Sequence, residues 1–171
     1  MQKGVQSNIT GAMRIAGLTT TDYTESQRDR FRSGELVRIW AKQYPKIFDK
    51  DDIRITRKQQ NYHFFEWLAA IIIYNSTGYL SLIEKYRCQN HKRKHKILEK
   101  LMTNEQIIQI CLRGTQCPDL LVYSPDYKDW FFCEVKGSRD KLRKEQIRYF
   151  EKLCKLTGKK IYVIEFKEKK L

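Results

Sequence analysis

No stretch of this 171-residue chain is long and apolar enough to cross a bilayer. The apolar run LAAIIIY is about one third of the roughly 20 residues that a spanning helix needs. No membrane partner is therefore expected. The first residues, MQKGVQSNITGAMRIAGLTTTDY, lack the continuous apolar segment of a secretory signal. Cysteine is sparse and odd in number: five, irregularly spaced, which speaks against a disulfide framework and fits a reducing, intracellular compartment, whether cytoplasm, nucleoid or nucleus. There is no internal repeat, and no G-x-S-x-G, P-loop or dinucleotide-binding fingerprint occurs.

The chain does have enough apolar residues for a core. At 41% hydrophobic and 12% aromatic, global disorder is not expected. It also has a large excess of one charge: 34 Lys and Arg against 20 Asp and Glu, a formal net charge of +14. Such an excess either solvates the surface or faces a polyanion, and nucleic acid is the polyanion that fits. The basic residues are bunched, in RITRK (54–58), HKRKHK (91–96) and RDKLRKEQIR (139–148), as a binding footprint would be.

Residues 1–24 show no sustained periodicity and read as a flexible tail. Residues 25–60 read as a basic helical extension. ESQRDRFRSGELVRIWAKQY is its amphipathic helix, weakened at Gly34 and ended at Tyr44-Pro45, and IFDKDDIRITRKQQ is a polar connection. From residue 61 to 171 a single domain is expected. NYHFFEWLAAIIIYN predicts a buried helix with Asn61 as its cap, and TGYLSLIEKYRC predicts a strand. HKRKHKILEKLMTNEQIIQICLRG predicts a basic helix, and DLLVY and WFFCEVK predict a hairpin around SPDYKD. KLRKEQIRYFEKLCKLTG predicts an amphipathic helix stopped at Gly158, and KIYVIEF the last strand. The order helix, strand, helical insertion, hairpin, helix, strand implies an α/β fold with a mixed sheet flanked by helices.

The hairpin carries the chemistry. Folded about the centre of SPDYKD, opposed positions sum to about 253, which sets Asp119 opposite Glu134 with Cβ atoms roughly 5 Å apart. Strand alternation puts Lys136 on the same face. Like charges so placed destabilise a hairpin unless something pairs with them. One reading is that Lys136 and nearby arginines neutralise an exposed strand end. The other is a divalent cation between the carboxylates, Mg²⁺ with Mn²⁺ as a substitute, activating a water against a phosphate. Lys136 would then hold the attacking water or neutralise the transition state.

Pro118-Asp119 followed by Glu134-Val135-Lys136 resembles the PD-(D/E)xK nuclease motif. The run PDLLVY…WFFCEVKGSRDKLRKEQIRYFEKL is similar to the VRR-NUC branch of that restriction-endonuclease-like superfamily, most clearly over 114–166. The resemblance implies Asp119 and Glu134 as metal ligands, the Val135 carbonyl as a third, and Lys136 as the catalytic lysine. It implies Gln146 and Tyr149 lining the site from the following helix. Ser138 stands where the family often has proline, and Arg143 where a Ser or Thr cap is common. Glu66, on the helix before the sheet, is where the resemblance puts a third acid. Glu84 competes, but needs a particular strand register to reach the site.

Phosphate contacts are assigned to Lys92, Arg93, Lys94, Lys96, Arg139, Lys141, Arg143 and Tyr149. Cys88, His91 and His95 offer a weaker zinc reading, short of the four well-spaced ligands a structural site needs. Cys117 and Cys133 are assigned to the face opposite the carboxylates, as buried thiols. The function expected is a metal-dependent DNA endonuclease selective for branched or flapped structures, in replication or repair. The alternatives are a sequence-specific restriction-type enzyme and an inactive DNA-binding module. A homodimer is left open.

Overall fold

The structure, a computed structural model, describes residues 12–13 (backbone only), 20–83, 91–112 and 117–170. Among the described residues thirteen elements follow one another: β1 Ala12–Met13, β2 Thr20–Tyr23, α1 Glu25–Arg32, α2 Glu35–Gln43, α3 Lys50–Lys58, α4 Phe64–Thr77, β3 Leu80–Leu82, α5 Lys92–Leu101, α6 Asn104–Leu112, β4 Leu120–Tyr123, β5 Trp130–Lys136, α7 Lys144–Thr157 and β6 Ile161–Glu168. The sheet runs β3–β4–β5–β6, and both β1 and β2 pair with the far edge of β6. The β3–β4 and β4–β5 pairs are antiparallel, whereas β6 runs parallel to β5. A parallel neighbour needs a crossover, and α7 supplies it.

The expected hairpin register is the observed one, since Leu120 faces Cys133 and Leu121 faces Phe132. Each strand alternates between two cores. Phe31, Trp40, Phe64, Trp67 and Ile73 from α1, α2 and α4 pack on Leu120, Val122, Cys133, Val135 and Ile164. Ile97, Leu98, Ile110, Phe150 and Leu153 from α5, α6 and α7 pack on Leu121, Tyr123, Trp130, Phe132 and Ile161. All four residues of β4 are buried, as expected of a strand covered on both faces.

Several boundaries differ from the sequence expectation. Thr20–Tyr23, read as part of a flexible tail, is a strand in register with Glu165–Glu168, and Ala12–Met13 pairs with the start of β6. Thr24 caps α1, and residues 1–11 and 14–19 of that tail lie outside the described residues, as do Glu84 and Cys88. The 25–60 segment is not appended to the sheet domain but shares its core. Phe31 and Trp40 lie 5.5 and 6.2 Å, centroid to centroid, from Phe64. Its expected single helix is two, because Gly34 takes φ +81° between α1 and α2. Its expected polar connection contains α3, capped by Asp49, whose side chain accepts from the Asp52 N–H. The basic insertion is also two helices, broken where Met102 is extended. α4 begins after His63, not Asn61, and His63 sits at φ +73°.

Candidate active site

β4 and β5 put the acidic pair at the open end of their hairpin. Continuing the register one residue past Leu120–Cys133 brings Asp119 opposite Glu134. Asp119 Oδ2 accepts the Val135 N–H at 2.8 Å, which fixes the carboxylate against β5. Glu134 is only 2% exposed, an unusual place for a carboxylate. Its Oε1 receives the Lys136 ammonium at 2.6 Å and the Gln146 side-chain amide at 2.9 Å. Its Oε2 is buried and has no hydrogen-bond partner. Gln146, in the first turn of α7, also accepts the Arg143 N–H through Oε1, at 3.2 Å. The amide is thereby held at both ends, and its N–H₂ is aimed at Glu134.

Glu66 approaches from the other side of the sheet end. It lies in the first turn of α4, 26% exposed, with His63 Nδ1 3.8 Å from its Oε1. Phe65 beside it packs so closely on the turn after Lys136 that a Cβ on Gly137 would lie 3.1 Å from its ring. That contact explains a glycine directly after the lysine. Burial first, then the charges of Glu134 and Glu66, push the Asp119 carboxyl well above the usual carboxylate range. Glu66 therefore belongs to the electrostatics of the site. Among the described residues, however, no three His, Cys, Asp or Glu side chains converge to hold a metal. Asp119 and Glu134 are the pair brought together, and Glu66 is a neighbour acting through its field.

The donor set fits a hard divalent cation. It comprises two carboxylates on one sheet face, one with a buried oxygen lacking any partner and the other already burdened by neighbouring negative charge. The ammonium of Lys136 neutralises only the Oε1 side of Glu134. The zinc reading fares worse. His91 Nδ1 stands 3.8 Å from Asp51 and His95 Nδ1 3.3 Å from Glu99, while Cys88 lies outside the described residues.

Two assigned phosphate contacts are corrected. Lys94 is fully buried, with Nζ 2.5 Å from Asp52 Oδ1 and also donating to the Ile83 carbonyl, so it ties α5 to α3 and cannot meet DNA. Tyr149 is buried in the α7 core with its hydroxyl 3.3 Å from Cys117 Sγ, not exposed at the site. The same contact puts Cys117 on the α7 face rather than the opposite one, whereas Cys133 lies in the opposite core as expected. Arg93 is largely committed to Asp49, at 2.9 Å, and to the Lys46 carbonyl at 3.0 Å. Lys92, Lys96, Arg139, Lys141 and Arg143 are exposed. The sequence reading did not single out Arg28, whose guanidinium carbon lies 5.5 Å from the Phe65 ring centroid and whose Nη1 lies 3.8 Å from Glu25 Oε2. A basic residue four positions after Thr24 carries no signal of that placement.

A mixed sheet covered on both faces, with Asp119, Glu134 and Lys136 gathered at one end of a hairpin, is consistent with the PD-(D/E)xK-like nuclease fold. The model of the VRR-NUC domain matches residues 50–167, and the chain belongs to that family. The match starts at the first residue of α3, within the segment read as an extension. Comparison with curated proteins finds no match. Among solved structures, paFAN1 bound to DNA with a 2-nt 5′ flap and a gap is similar at 18% identity and a TM-score of 0.31. The likeness covers 86% of this chain and 23% of that one, so this chain spans about a quarter of that protein. A score so low lends nothing to a functional assignment.

Proposed function

We propose that the chain is a metal-dependent DNA nuclease, cutting phosphodiester bonds as an endonuclease selective for branched or flapped DNA. The observation that carries the reading is the buried Glu134 carboxylate. One of its oxygens is held by Lys136 and Gln146; the other is unpartnered beside Asp119. Evolution rarely leaves a buried charged oxygen unsatisfied without a use for it. Asp119 and Glu134 are assigned to hold a divalent cation, Mg²⁺ or Mn²⁺, with the Val135 carbonyl as a candidate third donor. Bound there, the cation supplies Lewis acidity toward the phosphate and a water of lowered pKa.

The rest follows from this chain's own groups. The Val135 N–H fixes Asp119, and Gln146 fixes Glu134, so neither carboxylate must reorganise during the reaction. Lys136, as an ammonium, donates to the attacking water and offsets the charge that builds on the phosphate oxygens. Arg139, Lys141 and Arg143, on the loop from β5 to α7, and Lys92 and Lys96 on α5 are assigned to phosphates. No described helix is long and apolar enough to cross a membrane. An intracellular compartment holding DNA is the proposed location.

The test is a panel of linear, flapped, forked and four-way DNAs, incubated with Mg²⁺, Mn²⁺ or EDTA. Cleavage of branched substrates with either metal and none in EDTA is expected. Full activity in EDTA overturns the reading. Cutting of one linear sequence in preference to all branches favours the restriction-type alternative.

A further inference from the structure

A groove of about 540 Å³ lies between α5 and the closed end of the β4–β5 hairpin, at the opposite end of the sheet from the carboxylates. Its volume is in the range of sites that hold a small molecule, roughly 300–1,000 Å³. Lys46, Lys92, Arg93, Lys96, Tyr123 and Tyr127 form its working walls, and none of its lining residues is acidic. Arg93 is engaged by Asp49. Lys46, Lys92 and Lys96 are exposed, and no ion pair among the described residues engages them. Three free ammonium groups around one concavity repel one another unless an anion sits between them.

The aromatic wall is built at a backbone cost. Tyr127 holds φ +61°, one of two non-glycine residues at positive φ among those described. Asn or Gly would take that turn position with less strain. What tyrosine adds is a ring stacked on Tyr123 at 5.6 Å and 10°, with the Lys100 ammonium 4.3 Å from its centroid. Aromatic faces beside lysines are the recurring chemistry for unpaired nucleotides, the bases stacking and the phosphates meeting ammonium groups.

We propose that this groove binds a single-stranded nucleic-acid segment, and, resting on the nuclease reading, that it captures the unpaired arm of a branched substrate. An incoming base takes the face of Tyr127 that Lys100 covers, and Lys100 is released to a phosphate. Tyr123 and Asp119 share one face of β4, four residues apart. At roughly 3.4 Å per residue the groove lies about 14 Å from the carboxylates. One DNA molecule can therefore occupy both, its arm in the groove and its junction at the site.

The experiment measures fluorescence anisotropy of labelled (dT)12 and of a 12-base-pair blunt duplex, in EDTA, with the full chain. Wild type is compared with the pair Lys92→Glu/Lys96→Glu and with Tyr127→Gly, which relieves the strained φ and removes the ring. Charge reversal should weaken (dT)12 binding at least tenfold and reduce the salt slope by about 1.4, two contacts at roughly 0.7 each for single strands. Tyr127→Gly should weaken it severalfold with the slope intact. With metal, the kcat/KM ratio of forked over blunt substrate should fall in both. If Tyr127→Gly lowers the melting temperature, Lys46→Glu, another lining residue, takes its place and should weaken (dT)12 binding severalfold with the salt slope reduced by about 0.7. Unaltered (dT)12 affinity in the variants overturns the proposal, as does an equal loss for blunt duplex. Competition by poly-glutamate as effective as that by unlabelled (dT)12 also overturns it, since the groove would then read charge alone. Wild-type cleavage of the forked substrate with metal tests the nuclease reading separately: its failure with (dT)12 binding intact leaves the groove standing.

Discussion

Asp119→Asn should stabilise the metal-free protein while abolishing cleavage. Two unit charges about 5 Å apart repel by about 3 kcal/mol at an effective dielectric constant near 20. Lys136, 2.6 Å from Glu134, offsets part of this, and about 1–2 kcal/mol is expected to survive. Asparagine keeps the shape and still accepts the Val135 N–H through its carbonyl oxygen. The pH dependence has a definite sign. Burial and the neighbouring charges raise the folded-state pKa of Asp119, so the folded protein keeps a proton that the unfolded chain releases near pH 4. Wild type therefore loses stability as pH rises from about 4 through the raised folded-state value, and the variant is spared that loss. Thermal unfolding in EDTA should show little difference at pH 4 and a gain of about 2–8 °C for the variant at pH 8, at roughly 2–4 °C per kcal/mol for a chain of this size. Mg²⁺ should raise the wild-type midpoint, more at pH 8 than at pH 6, and leave the variant unmoved. A variant no more stable than wild type at pH 8 in EDTA, or one that keeps the Mg²⁺ shift, refutes the reasoning.

Lys136→Ala should lower kcat by about 100-fold, as loss of one transition-state donor does. It should leave the Mg²⁺-induced thermal shift in place; an unchanged kcat would make the lysine purely structural. Gln146→Ala frees Glu134 to turn and should weaken metal binding or activity about 10–100-fold. Isothermal titration with Mn²⁺ decides it, and unchanged affinity would mean that Gln146 does not position the ligand. Arg28→Gln, at the rim formed by α1 and α4, should raise KM for DNA and reduce the salt slope by about one without moving the melting temperature, whereas a thermal shift with KM constant would assign it to packing. Lys94→Met leaves Asp52 buried without its partner and should cost about 3–5 kcal/mol. Because the Asp52 carboxyl is already raised to about 6 by burial, protonation relieves it at low pH, and the loss measured by urea unfolding should be greater at pH 8 than at pH 5.

The hairpin was legible because everything that fixes it is local. A six-residue polar turn sets the register, and a period of two then decides which side chains meet. The Asp119–Glu134 opposition and the place of Lys136 followed from arithmetic on the sequence. Gln146 came from the family resemblance and not from spacing, and in the structure it lies in the first turn of α7 with its amide on Glu134. Tyr149 failed because helical spacing alone does not tell a residue facing the site from one about sixty degrees round, facing the core. β2 failed because a short strand at a sheet edge needs only a partner, and TTDY offers no apolar alternation to announce one.

α3 and Lys94 show where composition misleads. The residues that α3 buries are Asp52 and Thr56, so the helix has no apolar stripe and reads as a connection. Lys94 stands in HKRKHK among residues that do face solvent, and charge clustering assigned it with them. One contact, Lys94 to Asp52, explains both errors, because the lysine is what allows α3 to turn a carboxylate inward. Each half looks like surface when read alone, and only the pair looks like core. The consequence reaches the site. α3 leads directly into the turn that starts α4, and the first turn of α4 carries Phe65 onto Gly137 and Glu66 into the field of Asp119. A buried ion pair is weak support for stability, since an apolar pair of equal volume often does better. It is directional, however, and it fixes α3 against α5 in one register where apolar side chains could slide. The geometry of the acidic cluster thus depends on a charge pair at the other end of α3, and the Lys94→Met protein, where it still folds, should show an altered pH dependence of Mg²⁺ binding as well as lower stability.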